Sequence, residues 1–475
     1  MTINTRIRHL VIAFVAITLV LPVSGCIRKR MIWSPDGQQA IMMTDEGTYV
    51  CDKDGTLLGS SSLVTKEGTV WFHDSKRLLV HWGQEVTTWE EAKAGLSEQR
   101  QKELMALAQP LREEILSHEG TWNGWKPKLL SQITGEELVA LWLYVRDHHS
   151  EGLQDKIGDK WNEWRDLKLE LHFLQIYTVS QGRLEAGVIL LKSVNEVFTS
   201  CLSREDKKLA CVMRTEERGI GESPGGRLMV ADIAHFNGFR GVADRVARYP
   251  DWSMDGRSLV YAKAEGWASD KNSVRLGSII SRTLCGEDGR LLDEFGEERV
   301  LAGILFPEWA TVRCLRNGRI LFSTVSLQLP CTAKDMPQRS SLFAVHPDWQ
   351  ATVTRLLTHE AEIHAPNEGL RLGAFELSPD ERRVTLVDWE EERVAIYELA
   401  TGAIKELVPL APSGGEKLLF MPTWRTADEL CFAARPGRQG NTSKRAEIML
   451  YSVSADKTRC ISSTWPDELL RSVFK

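Results

Sequence analysis

The chain has 475 residues, 43% of them apolar, a net charge of −6, and 16 Trp against only 7 Tyr. That length holds two or three ordinary domains or one large repeat domain, and the apolar share supplies a sizeable core. Mild acidity with no basic stripe excludes nucleic acid as the main partner.

Residues 1–25 read as an export signal. Arg6 and Arg8 form a basic start, and Leu10 to Leu21 is an apolar run. Its length of about a dozen residues suits a signal peptide and falls short of the ~20 that span a bilayer. The run ends in Leu21-Pro22-Val23-Ser24-Gly25-Cys26, which resembles the bacterial lipobox. The resemblance implies cleavage before Cys26, a diacylglycerol on its sulfur and an acylated amine, hence a firm membrane anchor. An uncleaved anchor or a secreted chain with an incidental cysteine is the competing reading. Ile27, not aspartate, follows Cys26, so the expected place in a Gram-negative cell is the outer membrane, facing the periplasm. Residues 26–31, with Arg28, Lys29 and Arg30, form a tether.

The phrase Trp33-Ser34-Pro35-Asp36-Gly37 precedes the apolar run Ala40 to Met43. It returns as Trp252-Ser253-Met254-Asp255-Gly256 and as Leu377-Ser378-Pro379-Asp380, each again before an apolar run. Weaker copies start at Trp71, Cys201, Trp309 and Pro422, with Glu205 and Asn317 near the Asp place. Recurrence of this kind marks a repeat fold. Within the first copy, Glu46-Gly47 and Asp52-Lys53-Asp54-Gly55 separate short apolar runs, as hairpin turns do. Gly supplies the positive φ of the turn, Asp binds nearby backbone N–H groups, and the preceding Trp, Leu or Phe fills the wedge between sheets.

The meander breaks from about residue 89 to 170. Leu104, Leu107, Leu111 and Ile115 recur at helical spacing, and Thr134 with Glu137 forms a capping-box pattern ahead of Leu138, Leu141, Trp142 and Val145. This is a helical insertion within the second copy. It concentrates Trp122, Trp125, Trp142, Trp161 and Trp164. Packing of the insertion accounts for these indoles, and so does a partner-binding surface, where aromatic residues are enriched.

The repeated phrase resembles the TolB-like and WD-like propeller repeats of bacterial exported proteins. The resemblance covers residues 32–463 outside the insertion and implies an all-β fold over residues 32–475. The expected fold is a β-propeller of about seven four-stranded blades, six or eight fitting the same spacing. In that family the phrase is architectural, so no catalytic role follows from it. Ile27 to Ile32 is the expected closing strand of the last blade, and Trp465 to Lys475 a short terminal helix.

Candidate chemistry is sparse. His359 and His364 are five apart, whereas a zincin helix needs four. Asp147-His148-His149 has no companion motif, and Asp52-Lys53-Asp54-Gly55 lacks the later ligands of a calcium loop. No Gly-x-Ser-x-Gly elbow is present. Neither a cofactor nor a metal is expected. Of nine cysteines, Cys201 with Cys211 or Cys431 with Cys460 supplies at most one disulfide. The expected function is a non-enzymatic, membrane-anchored scaffold presenting a protein-interaction surface to an envelope protein. The alternative is an enzyme or a glycan- or ligand-binding protein with a polar site in the central channel.

Overall fold

The computed structural model describes residues 31–472 except 120–126, 134, 159, 215–225, 270–273, 308–309, 325–340, 348–352, 357–374, 389–392, 408–416 and 437–446. The described chain is mostly β. Strands β1 (Met31–Trp33), β2 (Gln39–Met43), β3 (Thr48–Asp52) and β4 (Leu57–Ser61) form an antiparallel meander. A second meander holds β5 (Val70–Trp71), β6 (Arg77–Val86), β7 (Leu169–Ser180) and β8 (Arg183–Ser193). Next come β9 (Val197–Leu202), β10 (Lys208–Arg214), β11 (Gly226–Asp232) and β12 (Arg240–Val246). They share one eight-stranded sheet with β13 (Asp251–Trp252), β14 (Ser258–Ser269), β15 (Val274–Thr283) and β16 (Glu298–Pro307). Three more four-stranded sheets follow. The first is β17 (Val312–Cys314), β18 (Ile320–Thr324), β19 (Ser341–Val345) and β20 (Val353–Arg355). Then come β21 (Glu376–Leu377), β22 (Arg383–Asp388), β23 (Arg393–Glu398) and β24 (Ile404–Leu407). The last holds β25 (Lys417–Trp424), β26 (Glu429–Pro436), β27 (Glu447–Ser452) and β28 (Lys457–Cys460).

The structure therefore has five four-stranded sheets and one of eight strands, where seven separate sheets were expected. The cause is local. β12 slips register twice against β11, and Arg245 takes a left-handed φ of 60°, which brings Val246 into pairing with Lys263 of β14.

The sheets stand side by side as in a β-propeller. First strands neighbour one another: β1 meets β5 and β25, β9 meets β5 and β13, β13 meets β17, and β21 meets β25. Apolar clusters fill the gaps between successive groups of four strands. Ile41 and Val50 pack on Trp71 and Val80; Leu79 and Leu174 on Leu209 and Cys211; Val230 on Trp252 and Tyr261. The series continues with Ile279 on Phe322, Leu342 on Leu386, and Val394 on Trp424 and Phe432. The last cluster joins Ile448 and Leu450 back to Trp33 and Met42, closing the ring. Trp33, Trp71, Trp252 and Trp424 are all buried wedge residues, each ending the first strand of its group. This burial against a neighbouring sheet is why tryptophan recurs at that place.

Of the expected closing strand Ile27 to Ile32, residues 27–30 lie outside the described residues. Met31 and Ile32 pair with β2 inside the first sheet, and the last sheet draws all four strands from residues 417–460. The chain's C-terminal segment does the joining instead. Trp465 and helix α6 (Asp467–Ser472), through Leu469 and Leu470, pack into the cluster shared by the first and last sheets. The Trp465 indole N–H also donates to the Gly55 carbonyl of the first sheet.

Between β6 and β7 lie α1 (Trp89–Ala92), α2 (Glu98–Ser117), α3 (Gly135–His148), α4 (Leu153–Ile157) and α5 (Lys160–Arg165). The β6–β7 ladder runs unbroken from Arg77↔Thr178 to Val86↔Leu169 and projects its far end into these helices. Their core, with Leu104, Leu111, Ile115, Leu141 and Leu143, includes Val86, Leu171 and Phe173 from the ladder. The observed capping box is Thr88 with Glu91 at the start of α1; the expected N-cap Thr134 lies outside the described residues.

Strand direction defines two faces. β1 runs from Met31 to the turn at Ser34–Gly37, whereas β6 runs away from the equivalent turn at Phe72–Ser75. The entry at Met31 and the helices thus lie on one face, here the entry face, and the phrase turns on the other, the turn face.

Candidate functional site

The three clear phrase copies fold identically. Ser34 Oγ donates to Asp36 Oδ1 at 2.6 Å and accepts from Gln39 N at 3.1 Å. Ser253 does the same with Asp255 at 2.6 Å and Ser258 N at 2.8 Å. So does Ser378 with Asp380 at 2.6 Å and Arg383 N at 2.9 Å. The hydroxyl and carboxylate are consumed by the turn, so the phrase is architectural. Asn317 takes the Asp place in the weaker copy, accepting from Arg319 N at 3.0 Å.

Six of these turns put one residue in the left-handed region: Gly37, Ser75, Asp206, Gly256, Gly318 and Glu381. At Gly37 a Cβ would sit 2.7 Å from the Arg425 carbonyl, so glycine is required there. The three non-glycine residues instead reach a neighbouring turn. Ser75 Oγ accepts Asp36 N at 3.1 Å. Asp206 accepts His73 N at 2.8 Å, and Glu381 accepts Arg316 N at 2.6 Å. A left-handed non-glycine residue costs about 1 kcal/mol, which the charge-assisted hydrogen bonds of Asp206 and Glu381, about 1.5–3 kcal/mol each, offset.

Glu381 does more. Its carboxylate pairs with the Arg204 guanidinium and lies 3.4 Å from Arg316 Nε. Arg204 belongs to the turn between β9 and β10, and Glu381 to the turn between β21 and β22, with two groups of four strands between them in the chain. This ion pair therefore ties non-adjacent turns together across the ring. Nearby, half-buried Asp251 accepts Cys314 N at 2.8 Å and Trp252 N at 3.0 Å. Burial raises the Asp251 carboxyl pKa, against the pull of Arg313. Burial, helped by Asp251, pushes the Cys201 and Cys314 thiols far above their ordinary range, so neither is a ready nucleophile.

Farther along β6 and β7, His81 and His172 are both buried, Nε2 to Nδ1 at 3.2 Å. The Glu67 carbonyl only accepts, so His81 Nδ1 carries the proton, and neutral His81 then accepts from His172 Nδ1. Burial pushes both imidazoles down to about 3, with Lys66 adding to the effect on each. Glu170 lies 3.9 Å from His172 and also pairs with Lys66.

Trp142 is 8% exposed and packs on Trp164 with ring centroids 3.8 Å apart. It belongs to the helical core, and Trp161 and Trp164 are half-buried against the same core. Trp122 and Trp125, like His359 and His364, lie outside the described residues, as does Cys26. Asp147 caps α1, accepting Trp89 N at 2.9 Å, and the His148 ring stacks on Tyr144. Asp52 closes a hairpin, accepting Asp54 N at 2.9 Å and Thr56 N at 2.8 Å.

The described cysteines are all free, so neither of the two candidate pairs forms. Cys201 opposes Ala210, not Cys211, so the two thiols point to opposite faces. Strand β27 separates Cys431 from Cys460. Among the described residues no three His, Cys, Asp or Glu side chains come together as a metal site.

Sequence reasoning missed Arg204, Arg316 and Glu381. One signal was available: Ser75, Asp206 and Glu381 stand where the phrase has glycine, and each carries an acceptor.

No family model matches this chain, and no curated protein matches it either. Among solved structures it is similar to a putative TolB from Agrobacterium tumefaciens, at 11% identity and a TM-score of 0.36, over 58% of this chain and 83% of that one. It is similar to the β-propeller domain of Myceliophteria thermophila Cps50 (Swd1), at 9% identity and a TM-score of 0.43, over 85% and 93%. It is also similar to a Mycobacterium tuberculosis puromycin-hydrolyzing peptidase, at 10% identity and a TM-score of 0.45, over 92% of this chain and 53% of that one.

Proposed function

We propose that this chain is a non-enzymatic propeller scaffold, lipid-anchored at Cys26 in the cell envelope, that presents its helical segment to a protein partner. The eight-stranded sheet counts as two blades, since β12 and β14 share a single pair, and the ring then has seven. Residues 89–170 are an insertion in the second blade, and the β6–β7 ladder is its stalk. The observation that carries the reading is the cross-ring tie of Arg204 and Arg316 to Glu381. Arg204, Arg316 and Glu381 are spent on one another there, which supports a rigid frame over a catalytic channel.

The experiment compares crosslinked partners of the full anchored protein with those of a variant whose residues 87–168, between the paired Val86 and Leu169, are replaced by a two-residue Asn-Gly turn. That turn suits the antiparallel ladder end. Loss of the partners with retained folding supports the reading. An unchanged partner set overturns the helical segment as the binding element.

A further inference from the structure

The helices and the point where the chain enters the ring share one face. Cys26 and Met31 are five residues apart, a reach of at most about 17 Å. Helix α2 has 20 residues, about 30 Å end to end. With the anchor proposed above, the entry face is held at the bilayer surface, and the helices stand between ring and membrane or lie along it. The turn face points away.

Charge then decides what the helices meet there. Residues 89–168 hold fifteen Asp and Glu against eleven Lys and Arg. The exposed side of α2 carries Glu98 and Glu113 near exposed Met105, with Lys102 the basic residue among them, while Glu103 pairs with Arg100 at 2.7 Å. An acidic surface is repelled by anionic headgroups, and no described helix is long and apolar enough to cross a membrane. We infer that the helical segment docks a membrane-embedded protein through a basic stretch of that protein lying beside the bilayer. This rests on the anchoring at Cys26.

The orientation is tested on purified lipidated protein in phosphatidylethanolamine–phosphatidylglycerol vesicles with acceptor-labelled headgroups. A donor dye is attached through an unnatural residue at Met105 or at Glu205, an exposed turn-face position. Energy transfer is expected to be severalfold greater from position 105; equal or reversed transfer overturns the inference. The mass of the mature chain and its loss from vesicles on Cys26→Ala report separately on the anchor. The partner is tested in intact cells with a cleavable photocrosslinker at position 105. The released partner is expected to resist carbonate extraction, and the Glu98→Gln/Glu113→Gln variant to lose the crosslink. A carbonate-soluble partner, no partner, or a crosslink indifferent to that charge removal each overturns the inference.

Discussion

Asp206 holds His73 by two points, accepting its backbone N–H at 2.8 Å and facing its ring Nδ1 at 2.8 Å. Asp206 sits at φ 58°, in a conformation that glycine adopts more readily. The local backbone preference and the inter-turn bond thus oppose each other at one residue, and the bond prevails. Asp206→Gly relieves the backbone and loses the bond. A net loss of about 1 kcal/mol is expected, with Asp206→Asn milder because asparagine keeps an acceptor and tolerates the left-handed region. Urea midpoints of the three proteins check the order; a glycine variant at or above wild type contradicts it.

Glu381 poses the same opposition with more at stake, because it receives a backbone N–H and two guanidinium groups. Glu381→Gly is expected to destabilise by about 2–3 kcal/mol, leaving half-buried Arg204 without its partner. The double variant Arg204→Met/Glu381→Gly recovers part of that loss, since no guanidinium is then stranded. Chemical denaturation of the double-mutant cycle reads the coupling.

Trp465 is 3% exposed and wedges between the first and last sheets. Trp465→Ala is expected to cost about 3–5 kcal/mol. Hydrogen exchange shows where: amides of β1, β2 and β27 lose protection, while those of β10 and β11, on another part of the ring, change least.

The His81–His172 pair makes stability pH-dependent. Both imidazoles are held near 3 in the fold, against an ordinary value near 6.5. Between those limits the unfolded chain binds more protons, so stability is fully present above about pH 6.5 and falls as pH drops toward 3. The midpoint of urea unfolding at pH 5 is expected below that at pH 7.5. His172→Gln flattens the slope, and an unchanged slope in that variant counts against the pair as its source.

How far these features were legible follows from sequence distance. Ser34, Ser253 and Ser378 announced the turns because each acts within five residues of itself, and Trp33, Trp71 and Trp252 announced the wedges because they recur at the head of that local phrase. Strand order and the helical break were legible for the same reason. The Arg204–Glu381 tie spans 177 positions and joins turns that look unrelated in the chain. Closure went to Trp465 because its indole fits a gap created by two sheets far apart in sequence. The shared pairing of β12 with β14 depended on the backbone of Arg245, whose left-handed φ no composition signal marks.

That closure also orders events in time. Met31 and Trp33 are among the first ring residues to be synthesised, and Leu469 and Leu470, which cover them, are among the last. A chain still emerging from the ribosome leaves the apolar flank of its first sheet bare until residue 470 is free. Premature termination anywhere upstream produces an open arc with two sticky ends, a substrate for proteases or aggregation. Helix α6 therefore covers the flank of the first sheet only after every sheet of the ring has been made.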